Sequence, residues 1–187
     1  MCLLSINYLK IIGLDPGLRA TGWGVLDIEG NNLTHIANGV VKVKSENPLS
    51  IRLAMLFCEL KSILETYHPE EAAVEKSFVS QNSSSTLKLG HARGVIMLAP
   101  ALSEISVSEY SPNVIKKSLV GSGHASKEQV KMMVCTLLPG AYPKSLDAAD
   151  ALGVAVCHAH HRNRISILGA TWRSQKKTAQ KKMRPSR

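Results

Sequence analysis

No apolar run in this 187-residue chain approaches the ~20 residues needed to span a bilayer, which argues against a transmembrane segment. Residues 1–10 are mildly apolar but carry neither a basic n-region nor a small-residue cleavage site. They read as an N-terminal extension or the product of an upstream start, and not as a signal. There are four cysteines, Cys2, Cys58, Cys135 and Cys157, widely separated and without a CxxC pair. That pattern argues against a cysteine-based zinc site; the cysteines read as reduced core residues of a cytoplasmic protein. Acidic residues are missing altogether after Asp150, where Arg162, Arg164, Arg173, Lys176, Lys177, Lys181, Lys182, Arg184 and Arg187 follow. The chain before that point has as many basic as acidic residues, so the tail holds the whole formal charge of +9. Such a tail suits contact with a polyanion, or it is a solvated, disordered terminus; charge alone leaves both open.

What is present is enough for one domain, over residues 11–161, followed by the basic and disordered tail 162–187. The apolar fraction of 44% supports an ordinary core. Ile11–Leu14 reads as a buried strand. Ala20–Gly30 and Leu33–Val43 read as two more, joined at the turn signal Gly30-Asn31-Asn32. Leu49, Leu53, Leu56, Leu60, Ile63 and Leu64 recur with helical spacing over Leu49–Tyr67, and His68-Pro69 closes that helix. Glu71–Glu75 is a short buried strand, and Val79–Ser85 a polar loop. Thr86–Leu102 is helical, with small Gly90, Ala92 and Gly94 suited to close packing or a dimer contact. Ile105–Glu109 is a strand, and Ser111-Pro112 starts a short helix with Pro at N1. Ser126–Gln129 is a capping box before an apolar helix. Ser145 caps a last helix, apolar nearly all round, that runs to about His161. Antiparallel hairpins followed by βαβ crossovers predict an α/β protein: a mixed five-stranded sheet flanked by helices. Trp23, between two glycines, reads as a packing residue, and the cluster His158, His160 and His161 as a helix C-terminus.

Four acids stand out. Asp15 ends the first strand, where Pro16 has no N–H to continue a ladder and Gly17 can take φ > 0. It either projects past the sheet edge as a ligand or simply starts a polar turn. Glu75 repeats the design at the end of another buried strand. Asp147 and Asp150, three residues apart, share a face in the first turn of the last helix. They either decorate an exposed turn or need a cation to offset their cost in an apolar helix. Together the four can converge on one sheet edge. Oxygen-only donors suit Mg²⁺ or Mn²⁺, and two such ions ~4 Å apart are a standard device for phosphodiester hydrolysis.

At these residues the chain resembles the RuvC family of bacterial Holliday junction resolvases. The matching stretches are Gly-Leu-Asp-Pro-Gly at 13–17, Thr-Gly-Trp-Gly-Val at 21–25 and Val-Glu-Lys-Ser-Phe at 74–78. They continue with Leu-Lys-Leu-Gly-His-Ala-Arg-Gly at 87–94, Val-Gly-Ser-Gly-His-Ala-Ser-Lys at 120–127 and Asp-Ala-Ala-Asp-Ala-Leu at 147–152. The resemblance implies a ribonuclease-H-like fold, with Asp15, Glu75, Asp147 and Asp150 as catalytic ligands of two Mg²⁺ ions, Mn²⁺ substituting. It further implies that Phe78 stacks or wedges against junction bases and that Lys116 and Lys127 lie near the scissile phosphate. The implied substrate is four-way junction DNA in recombination and repair. The implied assembly is a homodimer, for which the helix around 86–99 is the candidate contact, working with the branch-migration proteins RuvA and RuvB. The first strand starts about ten residues later than in the family, away from the site.

Two other function classes compete. A catalytically inactive nucleic-acid binding module of the same fold gains nothing from acids that face phosphates. A sugar-kinase-like phosphotransferase also opens with a strand and an Asp-x-Gly turn. It needs a second domain with a second phosphate loop, and no such repeat is present.

Overall fold

The computed structural model describes residues 8–76 and 83–162, the side chains of 83–85 excepted. Phe78 and the tail beyond residue 162 lie outside the described residues. The elements run β1 (Tyr8–Asp15), β2 (Ala20–Glu29), β3 (Asn32–Lys42), α1 (Leu49–Tyr67), β4 (Glu71–Glu75), α2 (Ser83–Leu102), β5 (Ser106–Tyr110), α3 (Pro112–Val120) and α4 (Lys127–Leu137). A last helix, α5, covers residues 146–162. No helix among the described residues is long and apolar enough to cross a membrane.

The sheet order is β3-β2-β1-β4-β5. β1, β2 and β3 form an antiparallel meander, whereas β1–β4 and β4–β5 pair in parallel. This is the mixed sheet expected from two hairpin connections followed by helical crossovers. Because a strand alternates its faces, the buried residues of β1 split between two cores. Ile12 and Leu14 join Val25, Ala72 and Val74 under α1 and α2. Ile11 joins Leu26, Ala73 and Tyr110 under α3, α4 and α5. Trp23 packs against Tyr67, ring centroids 5.5 Å apart, and over Gly39.

Local signals set the boundaries. His68 ends α1 in a left-handed conformation (φ 48°), its N–H on the Leu64 carbonyl. Ser126 and Gln129 form both bonds of the capping box that starts α4. The Ser145 hydroxyl accepts from the Ala148 N–H at 3.2 Å, capping α5. Some expectations need correcting. β1 begins at Tyr8, ahead of the apolar run, because pairing with β2 extends to Tyr8↔Glu29. Helix α2 begins at Ser83, so 83–85 are not loop: a polar serine run is compatible with a helical turn. Cys157 is buried, but Cys58 is exposed, because position 58 falls on the face of α1 opposite Leu56, Leu60 and Leu64. Arg162, the first residue of the expected tail, lies within α5.

Helix α5 lies directly on the glycines of β1 and β2. A Cβ on Gly22 would sit 2.0 Å from the Asp147 carbonyl oxygen, and one on Gly13 2.1 Å from that of Ala151. Backbone blocks the added atom at both positions, so the close approach of α5 requires glycine there. Gly22→Ala is expected to lift the start of α5 and destabilise the fold by about 3 kcal/mol, read as a lower urea midpoint.

Candidate active site

Strand alternation, not the turn alone, aims the acids. Asp15 shares its face with Ile11 and Gly13, and Glu75 with Ala73; that is the face covered by α5. The contact of Gly22 with Asp147 brings the first turn of α5 to the end of β1, since Gly22 is the pairing partner of Asp15. The structure therefore gathers Asp15, Glu75, Asp147 and Asp150 at one end of the sheet, all partly buried.

Their charges are felt strongly. Burial pushes the Asp15 carboxyl up to about 8, and Glu75, Asp150 and Asp147 add to the rise. Burial likewise raises Glu75 to about 7, with Asp150 adding and Lys127 and Lys116 opposing. Burial raises Asp150 too, against the pull of Lys127. The Lys127 ammonium donates to Asp150 Oδ2 at 3.5 Å, and that carboxylate raises the lysine in turn. Lys116 is half-buried on α3. The two predicted lysines thus flank the four predicted acids, and Phe78 is the one predicted site residue outside the described residues.

The donor set consists of hard oxygens in a desolvated, electronegative corner, which fits Mg²⁺ or Mn²⁺ better than a soft metal. Among the described residues, no three carboxylate, imidazole or thiol groups stand close enough together to share one ion.

The turn behind Asp15 is pinned from within. The Thr21 hydroxyl donates to the Gly17 carbonyl at 2.6 Å, and Arg52 Nη2 donates to the Leu18 carbonyl at 3.2 Å. Gly17 does not use its left-handed freedom; it is required because a Cβ would lie 2.0 Å from the Ala20 carbonyl oxygen. Reading the chain for apolar spacing missed Arg52, which is buried on α1. Its signal is a lone cation on the otherwise apolar stripe of that helix, where burial demands a partner. The histidines at the end of α5 were likewise read too simply. His158 is only 3% exposed and bonds Tyr110 and Glu71 through its two ring nitrogens.

Comparisons with known proteins give the family. The family model described as crossover junction endodeoxyribonuclease RuvC matches residues 11–158. The crossover junction endodeoxyribonuclease RuvC of Rhodospirillum rubrum is 54% identical over 154 residues, covering 82% of this chain and 91% of that protein. Thermus thermophilus RuvC superposes with a TM-score of 0.76 at 31% identity, over 83% of this chain and 96% of its own. The structure of T. thermophilus RuvC in complex with a Holliday junction substrate matches with the same score and identity, over 81% and 93%.

Proposed function

Because the chain belongs to the RuvC family of crossover junction endodeoxyribonucleases, we propose that it resolves four-way DNA junctions by hydrolysing phosphodiester bonds in strands of like polarity. The observation that carries this reading is the convergence of four carboxylates from β1, β4 and α5 beside two lysines. Asp15, Glu75, Asp147 and Asp150 would hold divalent cations, two per site, with Mg²⁺ the natural ion and Mn²⁺ its substitute. When bound, these cations activate water and stabilise charge on the leaving oxygen.

The protein's own groups do the rest. Lys127 sits against Asp150 and holds positive charge at the rim, where a scissile phosphate needs it; Lys116 supplies a second charge near Glu75. Lys127→Ala is expected to lower single-turnover cleavage roughly tenfold to a hundredfold. Family resemblance gives Phe78, three residues past Glu75, the role of stacking on bases splayed at the crossover.

A two-fold junction calls for two sites in one particle, and a homodimer meets that need. Along α2, the exposed residues Leu87, Gly90, Gly94 and Leu98 form a stripe. Among the described residues, a Cβ on either glycine would meet nothing within 4 Å, which suits the approach of a second copy. Family resemblance adds RuvA and RuvB as partners.

The test is a cleavage assay on a synthetic mobile four-way junction, with a duplex alongside, in the presence and absence of Mg²⁺. Paired nicks in opposite strands of the junction alone, and only with metal, are the expected result. Binding without cutting in either Mg²⁺ or Mn²⁺ overturns the nuclease reading in favour of an inactive binding module.

A further inference from the structure

The buried end of α5 carries a polar cluster for which the reaction has no direct use. His158 Nε2 lies 2.9 Å from Glu71 Oε2, and His158 Nδ1 lies 2.8 Å from the Tyr110 hydroxyl. A carboxylate only accepts, so Nε2 carries the proton shared with Glu71; in the neutral ring Nδ1 then accepts from Tyr110. Burial holds the Tyr110 hydroxyl above its ordinary range, so it remains a donor. Arg162 Nε stands 3.7 Å from the same Glu71 oxygen.

The placement of these residues matters more than their chemistry. β4 runs from Glu71 to Glu75, and α5 runs back from Asp150 to His158. Four residues of strand rise ~13 Å, and eight residues of helix rise ~12 Å. The two elements are therefore joined at one end by Glu71 and His158, and at the other they present Glu75 and Asp150 to each other. α5 rests on Gly13, Gly22 and Gly24, whose missing side chains let Ala151, Asp147 and Leu152 come down onto the strands. The helix residues that meet this floor are the small Ala151 and Ala155 and the larger Leu152. Such a floor lets the helix approach closely; apolar packing on it is non-directional, whereas hydrogen bonds at the helix end fix a distance between named atoms. Tyr110 adds a second tie, because its carbonyl accepts from the Lys76 N–H at 2.8 Å, next to Glu75.

We propose that the Glu71–His158–Tyr110 cluster sets the axial position of α5 along β4, and through it the spacing of Asp147 and Asp150 from Glu75. Glu71, His158 and Tyr110 are positioning residues for a cation site that lies a helix length away. This inference rests on the reading of the four carboxylates as that site.

The experiment uses the full chain and the variants Glu71→Ala, Glu71→Gln and Tyr110→Phe. Two readouts are taken: Mn²⁺ binding to the DNA-free protein by electron paramagnetic resonance, and single-turnover junction cleavage against Mg²⁺ concentration. Circular dichroism checks that each variant is folded. Glu71→Ala is expected to weaken Mn²⁺ binding and slow cleavage roughly tenfold to a hundredfold, with junction affinity unchanged. Glu71→Gln, whose amide oxygen still accepts from His158, is expected to retain both, and Tyr110→Phe to fall between. A lower melting temperature in Glu71→Ala with the Mn²⁺ affinity of the folded protein intact would reduce the cluster to a structural role and overturn the proposal. So would a Glu71→Gln variant as impaired as Glu71→Ala. If the unmodified protein neither binds Mn²⁺ nor cuts junctions, the carboxylate reading fails first and takes the proposal with it.

Discussion

Asp15→Asn is expected to lower junction cleavage roughly a thousandfold or more while leaving junction binding intact. Asparagine preserves the shape of the side chain and removes one negative charge from the centre of the cluster. Asp15 is the acid whose carboxyl is raised by burial and then by all three of the others. The same change should stabilise the metal-free fold at mildly alkaline pH, by about 2 kcal/mol or more, because a buried charge facing like charges is gone. Loss of cutting combined with a gain in melting temperature separates removal of a ligand from damage to the fold. A variant that still cuts would remove Asp15 from the chemistry.

The second large effect is in stability against pH. Asp15 moves from 3.8 to about 8 and Glu75 from 4.5 to about 7, so the folded protein binds more protons than the unfolded chain between those values. Stability in the absence of metal is then fullest below about pH 4 as far as these two groups are concerned, and is lost progressively as pH rises to about 8. The expected loss is a few kcal/mol. Divalent cations held by these carboxylates would offset that loss, because they favour the ionised form. Melting curves at about pH 5 and pH 8, with EDTA and with Mg²⁺, check this: the EDTA curves should diverge and the Mg²⁺ curves converge. Cleavage should correspondingly decline as pH falls, since protonated acids release the ion. An EDTA melting temperature that does not fall between the two pH values would count against a desolvated carboxylate cluster.

The acids were legible because each sits at a local break that sequence marks well. Asp15 is followed by Pro-Gly, Glu75 closes a run of apolar residues, and Asp147 and Asp150 are the only acids on an apolar helix. The capping box at Ser126 and the cap at Ser145 were equally plain, since each depends on residues three apart. The positions that escaped are those whose partners are far away in the chain. Cys58 was expected inside because its neighbours are apolar, yet the helix turns it outward. Arg52 was overlooked, and His158 taken only for a helix end, because the Leu18 carbonyl and Glu71 that satisfy them lie 34 and 87 residues away.

By itself the sequence determined the kinds of element, their order and the ends that carry a cap or a Pro-Gly break. Those follow from propensity, periodicity and caps, which act over a few residues. It also determined which residue types were available at the strand and helix ends. Only the tertiary structure decided that Asp15, Glu75 and Glu71 share the face under α5, because the face of a strand has no meaning until both sides are packed. Only the tertiary structure decided how close α5 comes, through glycines on β1 and β2 whose missing side chains matter to a helix more than a hundred residues away. The raised carboxyls belong to that level as well: desolvation and like-charge repulsion exist only once distant segments have excluded water from a common corner.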